Sequence, residues 1–163
     1  MHITIQEATP DQADLLTQIA HEAKRHWHYP ETWIALWRTT LTITPDFIES
    51  NKAYVAVVDG EVSGFYILID SGEKAILDHM WLKPSYIGRG VGRELFAHAV
   101  ETAISLGASS IEIEADPNAE GFYLRMGARK IGENQYEIEG SPRVLPLLIV
   151  DLKGDELSQL AKS

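Results

Sequence analysis

The chain has 163 residues, no cysteine and a formal net charge of −10 at neutral pH. The length argues for a single domain spanning residues 1–163 with core enough to fold unaided, and the missing cysteine excludes disulfide frameworks and thiolate metal sites, in keeping with a cytoplasmic setting. An acidic balance without a basic stripe argues against nucleic acid, and no apolar run reaches the ~20 residues that cross a bilayer, nor does a basic-then-apolar leader open the chain, so no membrane partner is expected.

In chain order, Met1–Gln6 alternates like a short strand. Thr9-Pro10-Asp11 then opens a helix on which Leu15, Leu16, Ile19, Ala23 and Trp27 recur at helical spacing. Pro30 breaks it, and Trp33, Leu36, Trp37 and Leu41 suggest a second short helix. Phe47 marks a further turn before a strand at Tyr54–Val58. Asp59-Gly60 is a two-residue hairpin signal, so Val62–Ile69 should return antiparallel. A turn at Asp70-Ser71-Gly72-Glu73 leads into a strand at Ala75–Leu82. Beyond a glycine-rich stretch, Leu95, Phe96, Ala99, Val100, Ala103, Ile104 and Leu106 make a helix that Gly107 can cap. Ile111–Ala115 reads as a strand and Ala119–Met126 as a short helix ending at Gly127. Ala128–Gly132, Tyr136–Glu139 and Leu147–Leu152 supply the remaining strands, which makes the fold class mixed α/β or α+β.

The stretch Gly88-Arg89-Gly90-Val91-Gly92 places three glycines in five residues between a strand and a helix. Glycine costs roughly 0.5–1 kcal/mol inside a regular element, so a tight turn or a close ligand approach should require it. A Walker loop fails because no lysine follows Gly92. The dinucleotide fingerprint fails because the pattern is G-x-G-x-G and hairpins precede it, not a βαβ unit. Two readings stay open, a glycine-rich turn and an anion site at a helix N-terminus.

Lys83-Pro84-Ser85-Tyr86-Ile87-Gly88-Arg89-Gly90-Val91-Gly92-Arg93-Glu94-Leu95 resembles the acyl-CoA loop of the GCN5-related N-acetyltransferases, the GNAT superfamily, whose pattern is Q/R-x-x-G-x-G/A. Gly90 and Gly92 match, while Ile87 stands where Gln or Arg is usual, which leaves a cradle of backbone N–H groups intact. Ala119-Glu120-Gly121-Phe122-Tyr123-Leu124-Arg125-Met126-Gly127-Ala128 is similar to the family's A-x-x-F-Y-x-x-x-G-F, with Ala128 in place of the usual Phe. Asp116 stands where Asn is typical, with Asn118 two residues later. The order of elements matches over nearly the whole chain. The resemblance implies a central, mostly antiparallel sheet of about seven strands, flanked by helices, with two central strands splayed apart.

The resemblance also implies an acetyl-CoA co-substrate and acetyl transfer to a primary amine of a small molecule or peptide, with a homodimer as a further possibility. A non-catalytic acyl-CoA-binding module is the competing class. Backbone at Met80, Trp81 and Leu82 would meet the pantetheine arm, and Ile87, Gly88, Arg89, Gly90, Val91, Gly92 and Arg93 the pyrophosphate, with Lys83 a further nearby cation. Asn118, Phe122 and Tyr123 complete the cofactor set, and Tyr123 matches the family tyrosine that protonates the leaving thiolate. For the base, strand parity groups Ile76, Asp78, Met80 and Leu82 on one face and Leu77, His79 and Trp81 on the other. Asp78 leads through a water, with His79 the better-matched base on the less favourable face, and Glu112 and Glu114 weaker candidates. His26, Trp27, His28 and Tyr29 are expected to line the acceptor pocket, with Arg143-Val144-Leu145-Pro146 closing its other wall. A metal is not expected, because the two histidines have no third ligand at helical spacing.

Overall fold

The computed structural model describes residues 1–152. Seven strands form one mixed sheet in the order β1-β2-β3-β4-β5-β7-β6. They are β1 (Ile3–Glu7), β2 (Lys52–Val58), β3 (Glu61–Ser71), β4 (Lys74–Leu82), β5 (Ser110–Glu114), β6 (Arg129–Ile138) and β7 (Ser141–Asp151). Every pairing is antiparallel except β4 with β5. Helices α1 (Ala13–His26), α2 (Glu31–Leu36), α3 (Pro45–Ser50), α4 (Val91–Ser105) and α5 (Glu120–Arg125) flank it. Among the described residues, no helix is long and apolar enough to cross a membrane.

Local chemistry explains where the elements start and stop. Pro10 begins a single 3-10 turn that runs into α1, and the Thr9 N–H donates to Gln12 Oε1 at 3.0 Å. Leu16, Ile19, Ala20 and Ala23 put an apolar stripe of α1 on the sheet. The chain leaves α1 through His28, whose φ of +60° ends the helical path. Thr44 Oγ1 accepts from Phe47 N–H at 3.1 Å and caps α3, with Pro45 in its first turn.

The sheet is buried on both faces. Phe65 and Ile67 of β3 point to the α1 side, where they join Leu16, Ile19, Val55 and Ile48. Tyr66 and Leu68 point to the α4 side, with Leu77, Leu95, Phe96, Ala99, Ile111 and Leu148. Burial on both faces is why β3 reads as a continuous apolar run and not as alternation. The Tyr66 hydroxyl lies 2.8 Å from both His98 Nδ1 and Thr102 Oγ1, a polar tie between β3 and α4.

The C-terminal strands differ from the expectation. Residues 129–138 form one strand, not two, because the irregularity between Lys130 and Gly132 is a bulge that the ladder absorbs. Glu139 and Gly140, at φ +49° and +78°, make the hairpin turn into β7. That strand starts at Ser141 despite Pro142 and Pro146. Up to Leu145 it pairs with β6 alone, so Pro142, without an N–H, is tolerated on the free side, and at Pro146, where the β5 side begins, the carbonyl still accepts from Ala115 N–H at 3.0 Å.

The sheet depends on Gly64 where β3 crosses the end of β4. A Cβ there would lie 2.6 Å from Leu82 Cδ2 and 2.7 Å from the Trp81 carbonyl oxygen. Backbone cannot give way as a side-chain tip can. Gly64→Ala should therefore lower stability by about 1–3 kcal/mol, read as a shift in the denaturant midpoint at constant m. An unchanged midpoint would show that the two strands are not in this contact.

Candidate active site

Parallel strands β4 and β5 pair only over Lys74–Ile76 with Ser110–Glu112 and then part. Two features drive them apart. In β4 the register against β3 runs Ile67 to His79 and then Leu68 to Leu77, so Asp78 is an extra residue in a bulge, which bends and twists the strand. On the other side β5 stays paired with β7 to Glu114. The opening is a cleft of about 610 Å³ lined by the diverging strands, the start of α4, α5, the last turn of α1 and residues Arg143 and Leu145 of β7.

The bulge also corrects the strand parity. Leu77, Met80 and Leu82 all pack on the α4 side, whereas Trp81 packs on the α1 side and His79 lies against Phe65 and Phe47 there. One inserted residue shifts the alternation, which no count of residues along the strand reveals. Asp78 itself has a half-exposed carboxylate that lines the cleft, 3.4 Å from His79 Nε2. His79 is buried and does not line the cleft. Its Nδ1 accepts from Trp81 Nε1–H at 3.0 Å, which leaves Nε2 to carry the proton facing Asp78. Burial pushes the imidazole pKa down, against the opposing pull of Asp78.

The glycine stretch builds one wall. Pro84–Tyr86 makes a 3-10 turn, and Gly90, at φ +88°, starts α4 in the left-handed region that glycine adopts without strain. The first helical bond runs from Glu94 N–H to the Gly90 carbonyl at 3.2 Å, so the N–H groups of Val91, Gly92 and Arg93 precede it and have no intrahelical acceptor. Open space lies where Cβ atoms of Gly88 and Gly90 would be, while a Cβ on Gly92 would press on the Phe122 ring at 3.3 Å. Two glycines thus keep the approach open and the third admits Phe122. Ile87, Gly88, Gly90, Gly92 and Arg93 line the cleft. The Val91 side chain is fully buried, and Arg89 sits 5.0 Å from the Tyr86 ring centroid, outside the lining. Lys83 is held by Glu61 at 2.8 Å.

Tyr123 and Phe122 come from α5; Phe122 packs edge to face with both Tyr123 and Phe96 of α4, and the Tyr123 ring is tilted against Phe96. Tyr123 is only 6 % exposed yet lines the cleft, and its hydroxyl has no hydrogen-bond partner among the described residues. Burial, with the Asp116 charge adding to it, raises its pKa far above the usual phenol range. A buried phenol of that kind stays protonated and is available as a donor.

On the α1 side the cleft meets a cluster centred on Asp116. Lys24 Nζ lies 2.6 Å from Asp116 Oδ2, and Arg143 Nη2 3.6 Å from the same oxygen. The Tyr29 hydroxyl donates to Asp116 at 3.0 Å, and the Asn118 N–H and Nδ2 donate to Oδ1 at 2.9 Å each. Burial pushes the Asp116 carboxyl up, but the Lys24 charge and these donors reverse that and hold it below the ordinary aspartate range. Burial pulls the Lys24 pKa down, and Asp116 only partly restores it. Trp37 lies beneath both cations, 4.3 Å from Lys24 Nζ and 4.8 Å from Arg143 Cζ.

Of the expected acceptor residues, Trp27 lines the cleft and Tyr29 reaches it through Asp116. His26, at the end of α1, and His28, just past it, are exposed and lie outside. Lys24 is the residue that sequence reasoning missed. The signal was present, since a lysine directly after Ala23 and four residues after Ala20 falls on the apolar stripe of α1. No group of three or more His, Asp or Glu that could hold a metal occurs among the described residues.

Residues 14–128 match the profile of the Acetyltransferase (GNAT) family. The chain is 27% identical over 134 residues to a peptidyl-lysine N-acetyltransferase, YjaB, of Salmonella typhimurium, covering 73% of this chain and 90% of that protein. A GCN5-related N-acetyltransferase structure from Rhodopseudomonas palustris superposes with a TM-score of 0.79 at 18% identity, over 93% of this chain and 97% of that one. The PaiA N-acetyltransferase of Thermoplasma acidophilum, solved with coenzyme A, superposes with a TM-score of 0.74 at 20% identity, over 93% and 99%.

The buried neutral imidazole yields a pH prediction. With the His79 pKa below its unfolded value of 6.5, the unfolded chain binds the extra proton first on acidification. The stability from neutral His79 is complete above that value and is lost as pH falls toward the folded one. The melting temperature should drop more steeply between about pH 7.5 and 5 in the native protein than in His79→Gln, which keeps an acceptor for Trp81. Parallel slopes would refute the assignment.

Proposed function

Because this chain belongs to the Acetyltransferase (GNAT) family and is an acyltransferase, we propose that acetyl-CoA is its donor and that a primary amine takes the acetyl group by direct attack. The observation that carries this reading is the parting of β4 and β5 after three residue pairs. It leaves a slot between the strands with free helical N–H groups on one wall and a buried phenol on another.

The residues fit the donor. The N–H groups of Val91, Gly92 and Arg93 would hold the diphosphate oxygens, with the positive end of the α4 dipole behind them and the Arg93 cation at the rim. Backbone of Met80–Leu82, past the point where β5 departs, is placed to bond the amides of a pantetheine arm. Bound acetyl-CoA supplies an activated thioester. The amine nitrogen forms a bond to the carbonyl carbon, the carbon–sulfur bond breaks, and two protons move. Tyr123 gives one to the departing sulfur. Asp78 takes the other through a water, with His79 Nε2 steadying its carboxylate from the protein side.

Incubation with acetyl-CoA and a panel of amines, amino acids and lysine peptides tests the reading directly, by release of free CoA together with mass of the acetylated product. Tyr123→Phe keeps the ring and its packing but removes the acid. It should lower kcat and kcat/KM together by roughly 10²-fold while CoA affinity changes little. Near-native turnover with chemistry rate-limiting would reduce Tyr123 to a packing residue.

Gly90→Val tests the cradle. A branched side chain at φ +88° should cost about 1–2 kcal/mol of stability, and calorimetry should show CoA affinity falling at least ~tenfold. Unchanged affinity would remove the diphosphate from this loop.

A further inference from the structure

The cluster around Asp116 holds two cations on one carboxylate. Lys24 and Arg143 have side chains only 9% and 11% exposed, and Asp116 7%, so the group carries one formal positive charge in excess with little water to screen it. Its donors are also underused. Of the three ammonium protons of Lys24, one contact is made, to Asp116, and the five N–H donors of the Arg143 guanidinium meet only Asp116, at 3.6 Å, and the Tyr29 hydroxyl among the described residues. The remaining faces of both cations lie against the rings of Tyr29 and Trp37. Both side chains line the cleft.

Other charges in the cleft are arranged differently. Glu114 accepts from Asn134 Nδ2 at 2.6 Å and from the Tyr136 hydroxyl at 2.7 Å, and so has only neutral partners among the described residues. Asp78 faces His79. The α1 side of the cleft thus offers two carboxylates suited to an amine and, separately, a buried cationic pair with spare donors. A ligand that carries only an amine leaves the second feature without a partner.

We propose that Lys24 and Arg143 form an anion site in the acceptor pocket, and that the acceptor is a small aminocarboxylate, such as a free amino acid, whose carboxylate docks there. This rests on the acetyl-transfer reading above and names its substrate class. The carboxylate fills the open donor positions and cancels the excess charge, which fixes the acceptor through its carboxylate and leaves the amine nitrogen free to attack. A lysine side chain within a protein has no carboxylate to place in that position.

Matched pairs of alanine, phenylalanine and lysine with their α-carboxamides test the site. Each is titrated calorimetrically into the CoA-loaded protein, and each is assayed separately for acetyl transfer. The carboxylates should bind at least roughly tenfold more tightly than their amides. The amide amines are the more readily neutral, so any bias from amine basicity runs against the expected result. Arg143→Gln and, independently, Lys24→Met should collapse that preference to within about twofold, with unchanged CoA affinity reporting that the fold survives. Equal binding within each pair, tighter binding of the amides, or no binding of any carboxylate overturns the anion site. Transfer to amides and lysine peptides without carboxylate preference overturns it too while leaving the transferase reading intact. Carboxylate-dependent binding without transfer upholds the site and removes the proposed transfer of acetyl from acetyl-CoA to these amines.

Discussion

Two neighbouring strands that run parallel for three residue pairs and then separate determine how the rest of the molecule is arranged. The closed end is clamped from several directions. Lys74 Nζ meets Glu112 at 2.7 Å, the Ser109 N–H donates to the Glu73 carbonyl at 2.6 Å, and Leu152 N–H reaches the Ser109 carbonyl at 2.8 Å. At the open end the Asp78 bulge turns β4 away while β7 retains β5. Backbone groups that would complete a parallel ladder are left facing a cleft, and unpaired strand backbone is costly to bury without a partner. A ligand with its own amide groups is a natural complement.

Both faces of the sheet contribute to that opening. The α4 face brings the glycine start of α4 and the Phe122–Tyr123 pair, held by Phe96. The α1 face brings Lys24, Trp27 and Trp81, with Asp116 and Arg143 arriving from the ends of neighbouring strands. Separating β4 from β5 is what lets these two sets meet, because an unbroken sheet would keep them on opposite sides. On the proposed mechanism the donor is held mainly by one set and the acceptor by the other, with chemistry in the gap.

Electrostatics follows the same division. A chain with net charge −10 must supply positive potential locally, and it does so where side chains are buried enough for a charge to matter. The exposed pair of Arg129 with Asp151 contributes little at high dielectric. Lys24, Asp116 and Arg143 sit where water is largely excluded, and removing one partner of such a buried pair typically costs ~3–5 kcal/mol. Asp116 also begins the Pro117–Ala119 turn by accepting from Asn118 N–H. The same carboxylate therefore shapes the backbone before α5 and holds the cations beneath the acceptor side.

Much of this was legible along the chain. The apolar stripes of α1 and α4, the Asp59-Gly60 hairpin and the helix start behind Gly90 depend on residues within a few positions of one another, so local sterics and periodicity determine them. The glycine loop and the Phe122–Tyr123 segment were readable for the same reason, each being a short contiguous pattern. Three things required the folded chain. The bulge at Asp78 arises from the register between β3 and β4, and it reverses which β4 side chains share a face. The long β7 survives Pro142 because its first residues have a neighbour on one side only. The cluster of Lys24, Asp116 and Arg143 joins residues 92 positions apart for its shortest contact. Sequence determines periodicity and turns because those are near-neighbour properties of the backbone. Register, edge exposure and the company of a buried charge belong to pairs of distant segments, and only their packing decided them.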